Sequence, residues 1–106
     1  MIYLTKKVRF SASHTPAGRS PHGHNYVLEV TLRRGEGAVS DFRRLAEVLD
    51  ETILKKVNYK HLDETEENLV VTFWKALERE FPKGTLYEIK LQRAESETVI
   101  YRGENG

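Results

Sequence analysis

The stretch that decides the fold of this chain runs from Phe10-Ser11-Ala12-Ser13-His14 to His22-Gly23-His24-Asn25-Tyr26, and it contains three of the chain's four histidines. His22 and His24 are two residues apart. Because successive side chains of a strand alternate between its faces, these two imidazoles point the same way. His14 follows the pattern of a neighbouring strand. We therefore expect the three histidines to lie close together at the end of two adjacent strands.

Three imidazoles without a fourth protein ligand are typical of a zinc site that keeps one position open for water or substrate. The sequence thus predicts Zn²⁺ held by His14, His22 and His24. Any one of these histidines alone would more often be a surface or hydrogen-bonded side chain. A zinc ion that only stabilises the fold is a further alternative, although such sites usually have four protein ligands. The chain has no cysteine, which excludes thiolate ligands, disulfides and a cysteine nucleophile.

Length and composition indicate one globular domain over residues 1–106, with 39% hydrophobic and 31% charged residues. The longest apolar run, Leu69-Val70-Val71, is far too short to cross a membrane. The N-terminus lacks the long apolar stretch of a signal peptide, so we expect a cytoplasmic protein. A net charge of +1 provides no general attraction to nucleic acid or to anionic membranes. We expect neither as a partner.

Hydrophobic periodicity predicts six elements in the order ββααββ. Strands are expected at residues 2–12, 24–34, 86–92 and 97–101, and helices at residues 42–57 and 66–81, with a connector at residues 58–64. A sheet with one apolar face needs a covering layer, which two amphipathic helices can supply. The prediction is an α+β fold with an antiparallel four-stranded sheet and two helices on one face.

These motifs resemble the 6-pyruvoyl-tetrahydropterin synthase / 6-carboxy-tetrahydropterin synthase family. The resemblance rests on F-x-A-x-H and H-G-H-N-Y, supported by Asp41-Phe42, Thr65-Glu66-Glu67-Asn68 and Tyr101-Arg102-Gly103-Glu104. It implies a tunnelling fold, in which subunits join their sheets into a barrel and form a homo-oligomer, usually a hexamer of two trimers. It also implies a zinc ion on the three histidines and a pterin-like ligand near the subunit interfaces.

The positions that transfer protons in the family differ in this chain. The family has a cysteine, or in one subgroup a glutamate, four residues before H-G-H, where this chain has Gly18. The family's Asp-His pair falls on Asn58 and Tyr59. Proton transfer still needs a base. His61 is the first candidate, and Asp63 and Tyr59 are the alternatives.

The position of the family's pterin anchor also differs. The family has a glutamate in a V-x-V-x-E-T pattern, and Gln92-Arg93-Ala94 stands there in this chain. Glu95 is the nearest carboxylate, and it could accept two hydrogen bonds from the pterin 2-amino group and ring N–H. If Glu95 is only a turn residue, the pocket has lost this anchor.

Two functions follow from this combination. The first is a zinc-dependent, lyase-type reaction on a reduced pterin, such as dihydroneopterin or its triphosphate, with a base other than the family's. The second is a catalytically degenerate member that binds a pterin or purine-like ligand, or a protein partner, without turnover. Gly18, Asn58 and Tyr59 replace the family's proton-transferring residues, which argues against the standard reaction. The retained histidines indicate a site that is still used. We expect altered or lost chemistry.

Overall fold

The computed structural model describes residues 1–14, 22–37, 42–93 and 96–103. Gly18 and Glu95, two positions discussed above, lie outside these ranges. The strands are β1 (Ile2–His14), β2 (His22–Arg34), β3 (Lys60–Leu62), β4 (Leu86–Arg93) and β5 (Glu97–Tyr101). The helical segment α1 follows β2 and consists of an α-helix at Phe42–Leu49, a π-helix at Asp50–Leu54 and a last α-helical turn at Lys55–Val57, while helix α2 (Glu66–Glu78) follows β3.

The strands form one sheet in the order β3-β1-β2-β4-β5. The β1–β2, β2–β4 and β4–β5 pairs are antiparallel, as predicted, whereas β3 runs parallel to β1. The prediction of four strands was therefore wrong, because the described residues form a sheet of five. The additional strand lies inside the segment that was expected to be a connector. It has three residues, too few to show a period, and its partner strand is far away in the sequence.

The core lies between one face of the sheet and the two helices. Phe10, Tyr26 and Leu28 on this face are buried. The Phe10 ring stacks on the Tyr26 ring at 4.9 Å and meets Phe73 of α2 edge-on at 6.2 Å. Each fully buried side chain of this size stabilises the fold by roughly 1.5–3 kcal/mol. The α+β class and the pair of helices are thus confirmed. No helix in the described ranges is both long enough and apolar enough to cross a membrane.

The register of β1 and β2 explains the alternation seen in the sequence. The two strands pair without interruption from Ile2–Arg34 to His14–His22. The face away from the helices carries polar and exposed residues, for example Thr5 and Thr31, whose hydroxyl oxygens lie 2.8 Å apart across the strands. The hairpin therefore has one buried and one open face.

An irregularity marks the other end of the sheet. The register between β2 and β4 shifts between Thr31 and Leu32, because Thr31 pairs with Glu88 while Leu32 pairs with Leu86. Tyr87 is the extra residue of this bulge. Bulges redirect side chains and are frequent beside binding sites.

Candidate functional site

The end of the β1–β2 hairpin brings the three histidine positions together. His14 pairs directly with His22, and Ala12 pairs with His24. Residues that pair across two strands share a face, and so do residues two apart along one strand. Positions 14, 22 and 24 therefore lie on the face that also carries Phe10. The side chains of His14 and His22 are outside the described part of the structure.

The donor set at this end of the hairpin fits a zinc ion. Cross-strand pairs and their diagonal neighbours have Cβ atoms roughly 4.5–8 Å apart, which is close enough for three imidazoles to share one ion. Imidazole nitrogen is a common zinc ligand. Among the side chains that the structure describes, no group of three or more histidines and carboxylates forms a ligand set. His24 is among these described side chains, whereas the side chains of His14 and His22 are not.

A partly buried hydrogen-bond network lies next to His24 and includes the tyrosine whose ring contacts it. The Tyr26 ring meets the His24 ring edge-on at 5.9 Å. The Tyr26 hydroxyl donates to Glu66 Oε1 at 3.3 Å, and Arg93 Nη1 donates to the same oxygen at 3.0 Å. Arg93 also pairs with Glu97. We call Tyr26, Glu66 and Arg93 the Glu66 network.

The Glu66 network keeps Tyr26 protonated. Burial raises the pKa of Tyr26 to about 12, and the negative charge and hydrogen bond of Glu66 add to this effect, while the Arg93 charge opposes it. The phenol therefore acts as a donor toward Glu66 over the whole physiological pH range. The ring beside His24 is held by packing on one side and by this hydrogen bond at its tip.

Glu66 lies beside the candidate site, and the sequence did not reveal this position. In the sequence it is one of two acids in the first turn of α2, where the helix dipole favours anions. The structure shows a side chain only 14% exposed that is bonded to residues of β2 and β4. Thr65 caps this helix, because its hydroxyl accepts a hydrogen bond from the Asn68 N–H at 3.3 Å. The first turn of α2 therefore places the Glu66 carboxylate at the end of the sheet that carries the histidine positions.

The segment before β3 has a structural role in this chain. Asn58 Oδ1 accepts a hydrogen bond from the Ser11 N–H at 3.0 Å, and the Tyr59 N–H donates to the Ser11 carbonyl at 2.6 Å. Tyr59 has a φ of 60°, which is unusual for a residue other than glycine, and it is 84% exposed. Such strained residues are enriched at functional sites. The Tyr59 side chain is therefore exposed to solvent and not packed against the core.

His61 and Asp63 lie on the other side of the sheet from the histidine positions. His61 pairs with Ser13 in the register of β1 and β3, and the Ser13 Oγ and His61 Nδ1 atoms are 2.9 Å apart. His61 Nε2 is 3.7 Å from Asp63 Oδ1. Since Ser13 and position 14 are neighbours on one strand, they face opposite ways. Within one chain the structure does not bring His61 to the face that carries the histidine positions.

A shallow depression of about 340 Å³ lies at this end of the hairpin. His24, Ser13 and Tyr59 contribute to its lining. Among the described residues, neither His61 nor Asp63 lines it. Of the three candidate bases, Tyr59 is thus the one that shares a cavity with a candidate zinc ligand.

Comparisons with known proteins agree on one family. The family model of 6-pyruvoyl tetrahydropterin synthase matches residues 3–104. The 6-pyruvoyl tetrahydrobiopterin synthase of Dictyostelium discoideum is 36% identical, with 97% of each chain covered. The human protein of the same name is 32% identical over 90% of this chain and 73% of its own. The solved structure of the Caenorhabditis elegans 6-pyruvoyl tetrahydropterin synthase superposes with a TM-score of 0.82 at 21% identity, covering 97% of this chain and 96% of that one, which shows a common fold.

Proposed function

The chain belongs to the 6-pyruvoyl tetrahydropterin synthase family, and we propose that it is a zinc-binding member that acts on a reduced pterin by a lyase-type reaction. Dihydroneopterin or its triphosphate is the proposed substrate. The observation that carries this proposal is the hairpin register, which gathers positions 14, 22 and 24 at one end of one face. Imidazoles at three such positions would suit a zinc ion with one open coordination position.

His14, His22 and His24 would hold the zinc ion, whose positive charge would activate a hydroxyl or carbonyl oxygen of the ligand. The Glu66 network would keep the ring of His24 in place, because it fixes the Tyr26 ring that packs against it. Glu95 is the proposed acceptor for the pterin ring. The neighbouring Arg93 is engaged with Glu66 and Glu97.

We propose a base that differs from the family's. His61 is the first candidate, since imidazole is the commonest acid–base group in enzymes and Ser13 fixes its orientation. Because His61 faces away from the histidine positions of its own chain, it would have to act in the site of a neighbouring subunit. Tyr59 and Asp63 are the alternatives, and both side chains are exposed enough to reach across a subunit boundary.

This arrangement requires a homo-oligomer, for which we propose a hexamer of two trimers in the cytoplasm. Two features of the described chain support assembly. The sheet face away from the helices has no covering layer, and it exposes aromatic side chains such as Tyr3. The edge strand β5 presents Ile100, which is 50% exposed. Exposed edges and apolar residues of this kind are common at subunit contacts.

The alternative function, ligand binding without turnover, is favoured by one specific observation. Asn58 stands where the family has the aspartate of its Asp-His pair, and in this chain it fastens the segment before β3 to Ser11. The carboxamide of asparagine has no titratable proton, so this position cannot act as an acid or a base. If no other base replaces it, the protein would bind a pterin or purine-like ligand, or a protein partner, without converting it.

Turnover of dihydroneopterin triphosphate by the zinc-loaded protein tests the proposal. Both the release of triphosphate and the cleavage of the side chain should be followed. We expect turnover that disappears in His24→Ala and falls strongly in His61→Gln. The control is Lys56→Gln, at an exposed residue of α1 that does not line the depression. A zinc-loaded protein that binds the pterin but shows neither reaction would contradict the lyase proposal and support the alternative.

A further inference from the structure

A second and larger cleft lies at the opposite end of the sheet from the histidine positions. Its volume is about 900 Å³, and its lining comes from the ends of β2, α2 and β5 and the start of β4. Small-molecule sites are usually clefts of about 300–1,000 Å³. Tyr87 in this cleft and Arg93 beside the histidine end are six residues apart on β4, or about 20 Å along the strand. The two sites are therefore separate.

The cleft is positively charged. Its lining includes four basic side chains and one acidic one, Glu78; the basic ones are Arg33, Lys75, Lys83 and Arg102. Glu78 accepts a hydrogen bond from Trp74 Nε1 at 3.1 Å, and Arg102 donates to Glu88 at 2.7 Å. Within the described part of the chain, the other three basic groups have no carboxylate partner within salt-bridge distance. The cleft thus has positive charge that the described residues leave uncompensated.

Tyr87, the bulged residue of β4, organises two of these basic groups. The guanidinium carbons of Arg33 and Arg102 lie 5.7 and 5.8 Å from the centre of its ring. A cation at this distance from an aromatic ring is attracted to its face. Tyr3 packs against the same ring at 4.9 Å. Both guanidinium groups thus have a contact within the chain that favours their position in the cleft, which lowers the entropic cost of binding.

Arg33 also carries an unused hydrogen-bond donor. Its Nη2 donates to the carbonyl of Gly84 at 3.3 Å. Its Nε is buried and has no hydrogen-bond partner among the described residues. A buried donor without a partner is rare in proteins and costs free energy unless something satisfies it. The Nη atoms of the same guanidinium group are the donors that a ligand in the cleft would contact.

We propose that this cleft binds a small phosphate-bearing anion. Guanidinium groups pair with phosphate oxygens through strong, directional hydrogen bonds, and lysine adds a mobile positive charge. Arg33 and Arg102 would be the fixed donors, while Lys83 on the turn before β4 would close over the anion. The proposal is independent of the proposed function, since it involves neither the histidines nor a pterin.

The fluorescence of a tryptophan in the cleft can report ligand binding there. Trp74 is the single tryptophan, and it lines the cleft. The experiment is a titration of the metal-free full-length protein with inorganic pyrophosphate at constant ionic strength, followed by tryptophan fluorescence and by calorimetry. Removal of metal prevents pyrophosphate from binding through zinc. We expect saturable binding in the wild type and no response to an equal ionic strength of potassium chloride.

Matched variants locate the binding. Arg33→Gln should weaken pyrophosphate binding about tenfold, the size expected for one lost charge-assisted hydrogen bond. Lys83→Gln should weaken it by a smaller factor. The control is Arg43→Gln, the same change on the exposed surface of α1, where the side chain is 93% exposed. Thermal unfolding checks that each variant is folded. If Arg33→Gln does not fold, Lys83→Gln, in an exposed turn, provides the test instead.

Two results would overturn the proposal. One is the absence of saturable binding by both fluorescence and calorimetry at millimolar pyrophosphate. The other is equal affinity in the Lys83→Gln, Arg33→Gln and Arg43→Gln variants, which would show attraction to general surface charge. Either result would leave the proposed pterin chemistry at the histidine end untouched.

Discussion

Tyr26 is the residue whose ionisation is changed most clearly by its surroundings. Its pKa in the folded protein, about 12, lies above the ordinary value of 10.0. The folded state therefore holds this proton more tightly than the unfolded state, and the resulting stabilisation is complete below pH 10. We predict that it is lost as the pH rises from about 10 to about 12.

Denaturant unfolding of the metal-free protein across this pH range measures the effect. Tyr26→Phe should lower the stability at neutral pH, because Glu66 loses a donor. The same variant should lack the part of the alkaline loss that belongs to Tyr26. If wild type and Tyr26→Phe lose stability in parallel above pH 10, the raised pKa is contradicted.

Asn58 provides a second prediction at the level of a single residue. Asn58→Ala leaves the Ser11 N–H without its acceptor, which should cost about 1–3 kcal/mol of unfolding free energy. Asn58→Asp keeps an oxygen at this position and should cost less. Urea unfolding of both variants makes the comparison. Equal losses in the two would show that the hydrogen bond to Ser11 is not what Asn58 contributes.

Gly103 explains why the Tyr-Arg-Gly-Glu motif needs its glycine. A Cβ atom on Gly103 would lie 2.8 Å from Cζ2 of Trp74, and its φ of 84° is unfavourable for other residues. We predict that Gly103→Ala destabilises the protein by about 1–3 kcal/mol, the usual cost of overpacking. Gly35→Ala is the control, since open space surrounds that position. Similar melting temperatures for the two variants would contradict this explanation.

At the level of elements, regular alternation made most of the sheet predictable. In β1 and β2 the even-numbered residues face the core, so the period of two in the sequence reflects one-sided burial. Strand β3 could not be predicted in this way. Its three residues are positioned by the contacts of Asn58 and Tyr59 with Ser11, which no local pattern reveals. The π-helical part of α1 similarly has the periodicity of an ordinary helix in the sequence.

The candidate site was predictable only where one hairpin builds it. The spacing of His22 and His24 and the place of His14 follow from strand geometry, and the register agrees with that geometry. Glu66 was missed, because its partners are 27 and 40 residues away along the chain. The sheet face on which His61 lies was equally unpredictable. It depends on the pairing of β3 with β1, and the sequence did not indicate that β3 is a strand.

At the scale of the whole molecule, the proposed oligomer can be tested through an edge strand. Ile100→Lys places a charge on the exposed side of β5, and a charge on an edge strand opposes pairing with another chain. We predict that it shifts the protein from the hexamer to smaller species in light scattering. Phe42→Lys, a similar change at a 45% exposed residue of α1, should leave the hexamer intact. A monomeric wild-type protein would contradict the proposal.

The proposed function depends on a metal ion held by the histidines at the hairpin end. The zinc content of purified wild type and His24→Ala, determined by mass spectrometry after equilibration with zinc, tests for this ion. We predict about one zinc ion per chain in the wild type. We expect a large loss of zinc in His24→Ala, with unchanged circular dichroism and oligomer size. Equal zinc content in the two proteins would show that His24 is not a zinc ligand.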